Sequence, residues 1–298
     1  MISVIIASAN PALLEQVKAN IEETIGVSFE ILSFENAGGA KGICEIYNEG
    51  IAKANYPILC FMHEDISMLT SNWGQRVEDC FQQNPSLGVL GVAGSTFKSA
   101  VPIGWPSQGL PVSERINLVQ SFSYTAKETG PVCVNPHNEQ LAKVAVVDGV
   151  WMCVRKEVTE HIRFDKDTFK HFHCYDIDFC LAAGRCNEIA VTYDILLHHF
   201  SEGRFDRRWM EESLLLYKKW EGALPRAVSP LTAGQIRKIE KQNFRYWLKT
   251  IHHLGFDKRL AFWLLHRPKI RQVLGWKYYL KFHYSIINEY YFRKRSGS

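Results

Sequence analysis

A chain of 298 residues, 46% hydrophobic and 22% charged, can bury one large or two modest cores, which excludes a mini-protein and a largely disordered chain. Its eight cysteines are sparse and form no CxxC pair, so they read as reduced thiols of a cytoplasmic protein and not as a disulfide scaffold. The net charge of +4 conceals a division: residues 231–298 hold 15 Lys and Arg against 3 Asp and Glu, and the preceding 230 residues are acidic.

Met1 to Ala7 is a β-branched run that predicts a buried strand, with Asn10 as the cap of a helix over Pro11 to Thr24, where Leu13, Leu14, Val17 and Ile21 recur at helical spacing. Phe29 to Phe34 predicts a second strand, Gly42 to Ala54 a helix, and Pro57 to Met62 a third strand. A helix over about Asn72 to Gln83 and a strand over Leu87 to Ala93 continue the alternation. Alternating strands and helices are the signature of a parallel sheet flanked by helices. From Ser95 to about Gln140 the periodicity disappears, which predicts a long loop or a small antiparallel excursion. Leu141 to Val147, Gly149 to Val154 and Ile189 to Leu197 read as strands, and Asp176 to Ala183 as a helix. After Pro225 three helical stretches are expected, about Thr232 to His253, Lys258 to Leu265 and Pro268 to Phe292, which places a boundary at 228: residues 1–228 as one domain and 229–298 as a basic helical region. Val4 to Ala7 lacks a basic leader and Ala261 to Leu265 is far shorter than the roughly 20 residues of a membrane span, so neither a secretion signal nor a spanning helix is expected.

Three polar clusters carry candidate chemistry, two of them at strand ends, where open α/β sheets place their ligands. His63-Glu64-Asp65 offers carboxylates and an imidazole to Mg²⁺ or Mn²⁺, which would neutralise a diphosphate; a helix first turn is the alternative reading. Asp176 and Asp178 stand at a helix start, where one can face a cleft as a general base while the other caps the turn; capping alone is the alternative. His198-His199 follows a strand, and an imidazole there would join Asp65 as a metal ligand if the strands converge. His171, His173, Cys174, Cys180 and Cys186 lack the CxxC or HxxxH spacing of a zinc site.

In this order the motifs resemble a GT-A glycosyltransferase of the large inverting family-2-like group. SVIIASAN at 3–10 is similar to its first nucleotide-binding strand, EILSFEN at 30–36 to its second, GICEIYNEGIAKA at 42–54 to its Asn-x-Gly helix, and FMHED at 61–65 to its Asp-x-Asp metal motif. DGVWMCVRKEV at 148–158 resembles the acceptor-side strand, and YDIDF at 175–179 the segment carrying the catalytic base. The resemblance covers about residues 2–205 and implies a Rossmann-like, mostly parallel sheet. It also implies donor contacts at Ser8, Glu35, Asn36, Asn48, His63 and Glu64, acceptor-side positions at Gly149, Trp151 and Asp178, metal ligands at Asp65 and His199, and Asp176 as base. The implied activity is metal-assisted inverting transfer of a sugar from a nucleotide-diphosphate sugar to a hydroxyl of a glycan or lipid-linked acceptor, in surface glycan or polysaccharide synthesis. The chain departs from the pattern at His63, Asn36 and Tyr175, where Asp, Asp and Glu are usual, and the Arg expected after Asp178 is missing near Ala182. A catalytically inactive nucleotide- or glycan-binding module of the same fold is therefore carried as the alternative.

The basic tail interleaves 14 aromatic residues with its charges, among them Trp247, Trp263, Trp276, Tyr278-Tyr279 and Tyr290-Tyr291. Such a surface suits peripheral contact with the inner membrane face, or a helical lid or homodimer face; no nucleic-acid module accompanies it. The turn Ser8-Ala9-Asn10-Pro11 lacks the Gly-rich basic loop of a nucleotidyltransferase, and the absence of GxGxxG argues against a dehydrogenase.

Overall fold

In the computed structural model of the chain, residues 1–108, 113–122 and 128–288 are described. The β-branched run forms β1 (Ile2–Ser8), and Asn10 caps α1 (Pro11–Thr24) by accepting the Ala12 and Leu13 amides on its side-chain oxygen. β2 (Phe29–Glu35), α2 (Ile43–Lys53) and the fully buried β3 (Ile58–Met62) follow. Next come β4 (Ile66–Met68), α3 (Trp73–Gln83), β5 (Leu87–Gly91), β6 (Ala93–Ser95) and β7 (Phe97–Lys98). The unpatterned stretch contributes β8 (Glu114–Gln120) and β9 (Gly130–Val134), an antiparallel pair, so it is the antiparallel excursion and not a bare loop; its residues 109–112 and 123–127 lie outside the described residues. β10 (Leu141–Lys143), β11 (Val146–Val147), β12 (Trp151–Arg155), α4 (Lys156–His161), α5 (Tyr175–Ala183), β13 (Glu188–Thr192) and β14 (Leu197–His199) complete the strand-rich part. α6 (Arg207–Trp220), β15 (Arg226–Ala227), α7 (Ala233–His253), α8 (Lys258–Leu265) and α9 (Pro268–Ile287) close the chain. The expected helix end at Phe292 and the Tyr290-Tyr291 pair lie outside the described residues.

The chain forms two compact units. One comprises Met1–Thr96 and Val112–Arg204, the other Phe97–Pro111 and Phe205–Ser298. The boundary expected at 228 thus lies inside the second unit. α6 is an amphipathic helix whose Trp209, Leu216 and Tyr217 are buried there, and its pattern escaped the sequence reading.

The first unit is built on a seven-stranded sheet of order β10-β13-β5-β12-β3-β1-β2. Neighbours β2-β1, β1-β3 and β13-β5 are parallel, and β12 runs antiparallel between β3 and β5, so the sheet is mostly parallel as expected, with β12 and β10 reversed. A second sheet has the order β11-β6-β8-β14-β4.

Three runs that read as single strands are each divided between the two sheets: Leu87 to Ala93 into β5 and β6, Leu141 to Val147 into β10 and β11, and Ile189 to Leu197 into β13 and β14. Apolar residues on both sides of each break hide the division: Leu90 and Ala93, Ala142 and Val146, and Val191 and Leu197 are all buried. Gly94 permits the crossing of β6 and β11, since a β-carbon there would fall 2.4 Å from the Val146 carbonyl oxygen. Beneath the strand ends, Tyr47 of α2 meets Phe61 of β3, Phe164 and Tyr175 of α5 with ring centroids 4.8, 5.2 and 5.6 Å away, an aromatic core that fixes the start of α5 under the end of β3.

The second unit joins β7 to β15 as an antiparallel pair and packs α7, α8 and α9 together. Glu240 of α7 is fully buried, its carboxylate accepting the Ser99 hydroxyl at 2.6 Å and the Ala100 amide at 2.8 Å, so the stretch after β7 is tied to α7 by satisfied polar contacts. Among the described residues, no helix is long and apolar enough to cross a membrane.

Candidate active site

His63, Asp65 and His199 converge at the strand ends. β4 begins directly after Asp65 and pairs antiparallel with β14, His199 opposite Ile66, while the Asp65 carbonyl accepts the Phe200 amide at 3.0 Å. Strand pairing therefore brings residue 199 to residue 65. Nδ1 of His63 and Nε2 of His199 lie 3.8 and 3.7 Å from the Asp65 carboxylate oxygens, and one ligand atom from each of the three residues lies within 4.8 Å of the others.

The surrounding hydrogen bonds set both imidazoles. Gln120 of β8 donates its amide to the carbonyls of Ser121 at 2.7 Å and Ser201 at 2.8 Å, which turns its Oε1 toward Nδ1 of His199 at 3.2 Å. An amide oxygen only accepts, so Nδ1 carries the proton and Nε2 is left bare toward Asp65. On the other side, the Tyr175 hydroxyl donates to the Gly149 carbonyl at 3.3 Å and accepts from Nε2 of His63 at 3.1 Å, leaving Nδ1 of His63 bare toward the same carboxylate. Burial and the neighbouring His63 hold the His199 imidazole below its ordinary pKa, outweighing the pull of Asp65 and Asp148, so the ring is neutral at neutral pH. The Ser201 hydroxyl donates to Asp65 at 2.5 Å. His198, on the opposite face of β14, bonds Ser121 at 2.7 Å instead.

Asp176 stands in the first turn of α5, only 9% exposed. Its two oxygens accept the Gly149 amide at 3.0 Å and the Ile177 amide at 2.8 Å. Burial above all, and then the charge of Asp148, push its pKa up to about 7 against the opposing pull of those amides. Gly149 links this carboxylate to the metal-type cluster: its amide holds Asp176 and its carbonyl holds Tyr175. The sequence reading passed over three residues here, Asp148, Gln120 and the positioning role of Tyr175. Asp148 at a strand end was detectable by the rule that singled out Asp65; Gln120 in an unpatterned stretch carried no signal.

The remaining expected positions are distributed differently. Ser8 is buried at the end of β1, its carbonyl accepting the Asn36 amide at 2.6 Å, and Glu35 pairs with it in register. The Asn36 side chain closes the loop to Lys41 through both its donor and acceptor. Both ends of the Asn48 amide are engaged by the Phe164 backbone at 2.8 and 3.1 Å. Glu64 accepts the Ala9 and Asn10 amides at 3.0 Å, holding the turn after β1. Trp151 is fully buried with its ring edge-on to Trp73, and Asp178 is buried in α5, so neither lines an open surface. Phe172, 50% exposed, stands beside His63 with ring centroids 5.2 Å apart.

A mostly parallel sheet flanked by helices, with a second, smaller sheet in the same unit, is the mixed α/β architecture of GT-A type glycosyltransferases. Residues 3–198 match the Glycosyltransferase like family, and the chain belongs to that family, of the family-2 type. No curated protein matches it in sequence. Among solved structures it is similar to residues 1–349 of S. aureus TarS at 12% identity and a TM-score of 0.51, covering 96% of this chain and 80% of that one. It also overlaps GalNAc-T7 crystallised with UDP, GalNAc and Mn²⁺ (10% identity, TM-score 0.48, 98% of this chain and 58% of that one) and A197 from STIV (14%, 0.38, 67% and 86%).

Proposed function

We propose that the protein transfers a sugar from a nucleotide-diphosphate donor to a hydroxyl of a glycan or lipid-linked acceptor, with inversion. The observation that carries this reading is the convergence of His63, Asp65 and His199 with both imidazole lone pairs turned toward one carboxylate. Two imidazole nitrogens and a carboxylate oxygen suit a divalent cation of intermediate softness, Mn²⁺ better than Mg²⁺. A cation held by these residues would supply positive charge to the departing diphosphate.

Asp176 is the proposed base. An acid of pKa about 7 is half ionised near neutral pH and strong enough, when ionised, to take the proton of an attacking hydroxyl. The Gly149 and Ile177 amides orient it and use two of the lone pairs that an ionised carboxylate offers. Inversion follows from this division of labour, because a base that only deprotonates the acceptor leaves a single displacement at the anomeric carbon. Phe172 presents its ring at the rim of the site, where the apolar face of a sugar can rest.

The test is release of nucleoside diphosphate from a panel of nucleotide-sugars with Mn²⁺ and with chelator, alongside the change in Tm with each nucleotide. Turnover that needs the cation and is lost in Asp65→Asn is expected. Cation-dependent nucleotide binding without turnover of any donor, unchanged in Asp176→Asn, would instead favour the inactive binding module.

A further inference from the structure

Gly275, at φ 69° and ψ 166°, breaks α9 into two helical pieces. The second piece buries Phe282 and Ile286, the former against Phe244 of α7 with ring centroids 4.7 Å apart. Its opposite face carries Trp276, Leu280 and Tyr284, spaced four residues apart and therefore aligned, and 67, 60 and 66% exposed. Lys277 and Lys281 stand exposed beside them on the same helix. From Lys258 to Asn288 the sequence has seven Lys and Arg and no Asp or Glu.

We infer that this face of α9 docks the protein on an anionic lipid surface. An amphipathic helix lies in a bilayer interface when it presents a short apolar stripe flanked by cations. Trp and Tyr are the side chains that settle at headgroup depth, with Leu below them. Lysines alongside add attraction to anionic headgroups. Charge selects this occupant over a second copy of the chain: a two-fold contact would bring the same cation-rich face, with no carboxylate on it, against itself. A stripe of three residues gives reversible attachment, as suits a protein that visits the membrane without entering it. The inference stands on the second unit alone and does not depend on the catalytic assignment.

The experiment is co-sedimentation of the full chain with vesicles of phosphatidylcholine alone and of phosphatidylcholine mixed with phosphatidylglycerol, with size-exclusion chromatography and thermal unfolding of every variant. Binding to the mixed vesicles, weakened by salt and lost by on the order of tenfold or more in Lys277→Glu/Lys281→Glu, is expected. The variant Trp276→Ser/Leu280→Ser/Tyr284→Ser should lose binding to the same degree with its unfolding curve preserved, since exposed side chains contribute little to folding. Wild-type affinity in the apolar variant would overturn the inference, as would failure of the wild type to bind mixed vesicles. Dimer formation abolished by the apolar variant, without lipid binding, would overturn it in favour of a second copy.

Discussion

The hydroxyl of Tyr175 stands 2.1 Å from the point where a β-carbon on residue 149 would lie, so only glycine admits the contact that bonds Tyr175 to the Gly149 carbonyl and to His63. The glycine between Asp148 and Val150 therefore answers a packing demand as well as a turn.

Gly149→Ala should displace the Tyr175 ring and with it the His63 imidazole. Overpacking of a closed site typically costs about 1–3 kcal/mol. A lowered Tm together with weaker Mn²⁺ binding by calorimetry is the expected pair of results; normal Mn²⁺ affinity in the folded variant would disconnect Tyr175 from the cluster.

Gln120→Leu removes the acceptor that holds the proton on Nδ1 of His199. Loss of such a supporting partner lowers metal affinity by about 10–100-fold. The measurement is a Mn²⁺ titration at constant pH, with Tyr175→Phe as the matching change on the His63 side.

The pH profile should report Asp176. With its pKa at about 7, transfer should fall as pH drops below that value, and Asp148→Asn should move the acid limb to lower pH by removing the neighbouring charge. Asp176→Asn should spare donor binding and remove transfer.

The same shift has a consequence for stability. A carboxyl whose pKa is higher folded than unfolded binds its proton more tightly in the native state, so ionisation penalises folding progressively as pH rises from 3.8 toward about 7. The Tm of Asp176→Asn relative to wild type should therefore move in the variant's favour across that window. A difference independent of pH would mean that the carboxyl is not shifted.

Glu64 and Asn48 test the expected donor contacts against the backbone contacts observed. Glu64→Ala leaves the Ala9 and Asn10 amides without their acceptor, and Asn48→Ala releases the Phe164 backbone. Asn48→Ala, at a part-buried contact, should cost about 1–3 kcal/mol in urea unfolding, and Glu64→Ala, whose partner amides are exposed and turn to water, no more than about 0.5–1.5 kcal/mol. A raised KM for the donor with unchanged stability would restore the direct role.

The strand-helix alternation through Met62, the cap at Asn10, the polar strand ends and the length of α8 were legible because they rest on local patterns: β-branched runs, four-residue periodicity and capping chemistry. His63, Asp65 and His199 could be nominated because each follows an apolar strand. Their meeting could not be read from sequence, because the β4–β14 pairing joins segments as distant as Ile66 and His199 and β4 is only three residues long. The same holds for the role of Gln120, which depends on β8 lying beside β14.

Residue types and their order thus determined which side chains were available for metal and proton chemistry, and that the sheet would be mostly parallel. Tertiary structure decided which of them meet, which imidazole nitrogen faces the carboxylate, and that Glu64 and Asn48 hold backbone. Hydrogen-bond direction and burial arise between segments distant in the chain, where local periodicity carries no information.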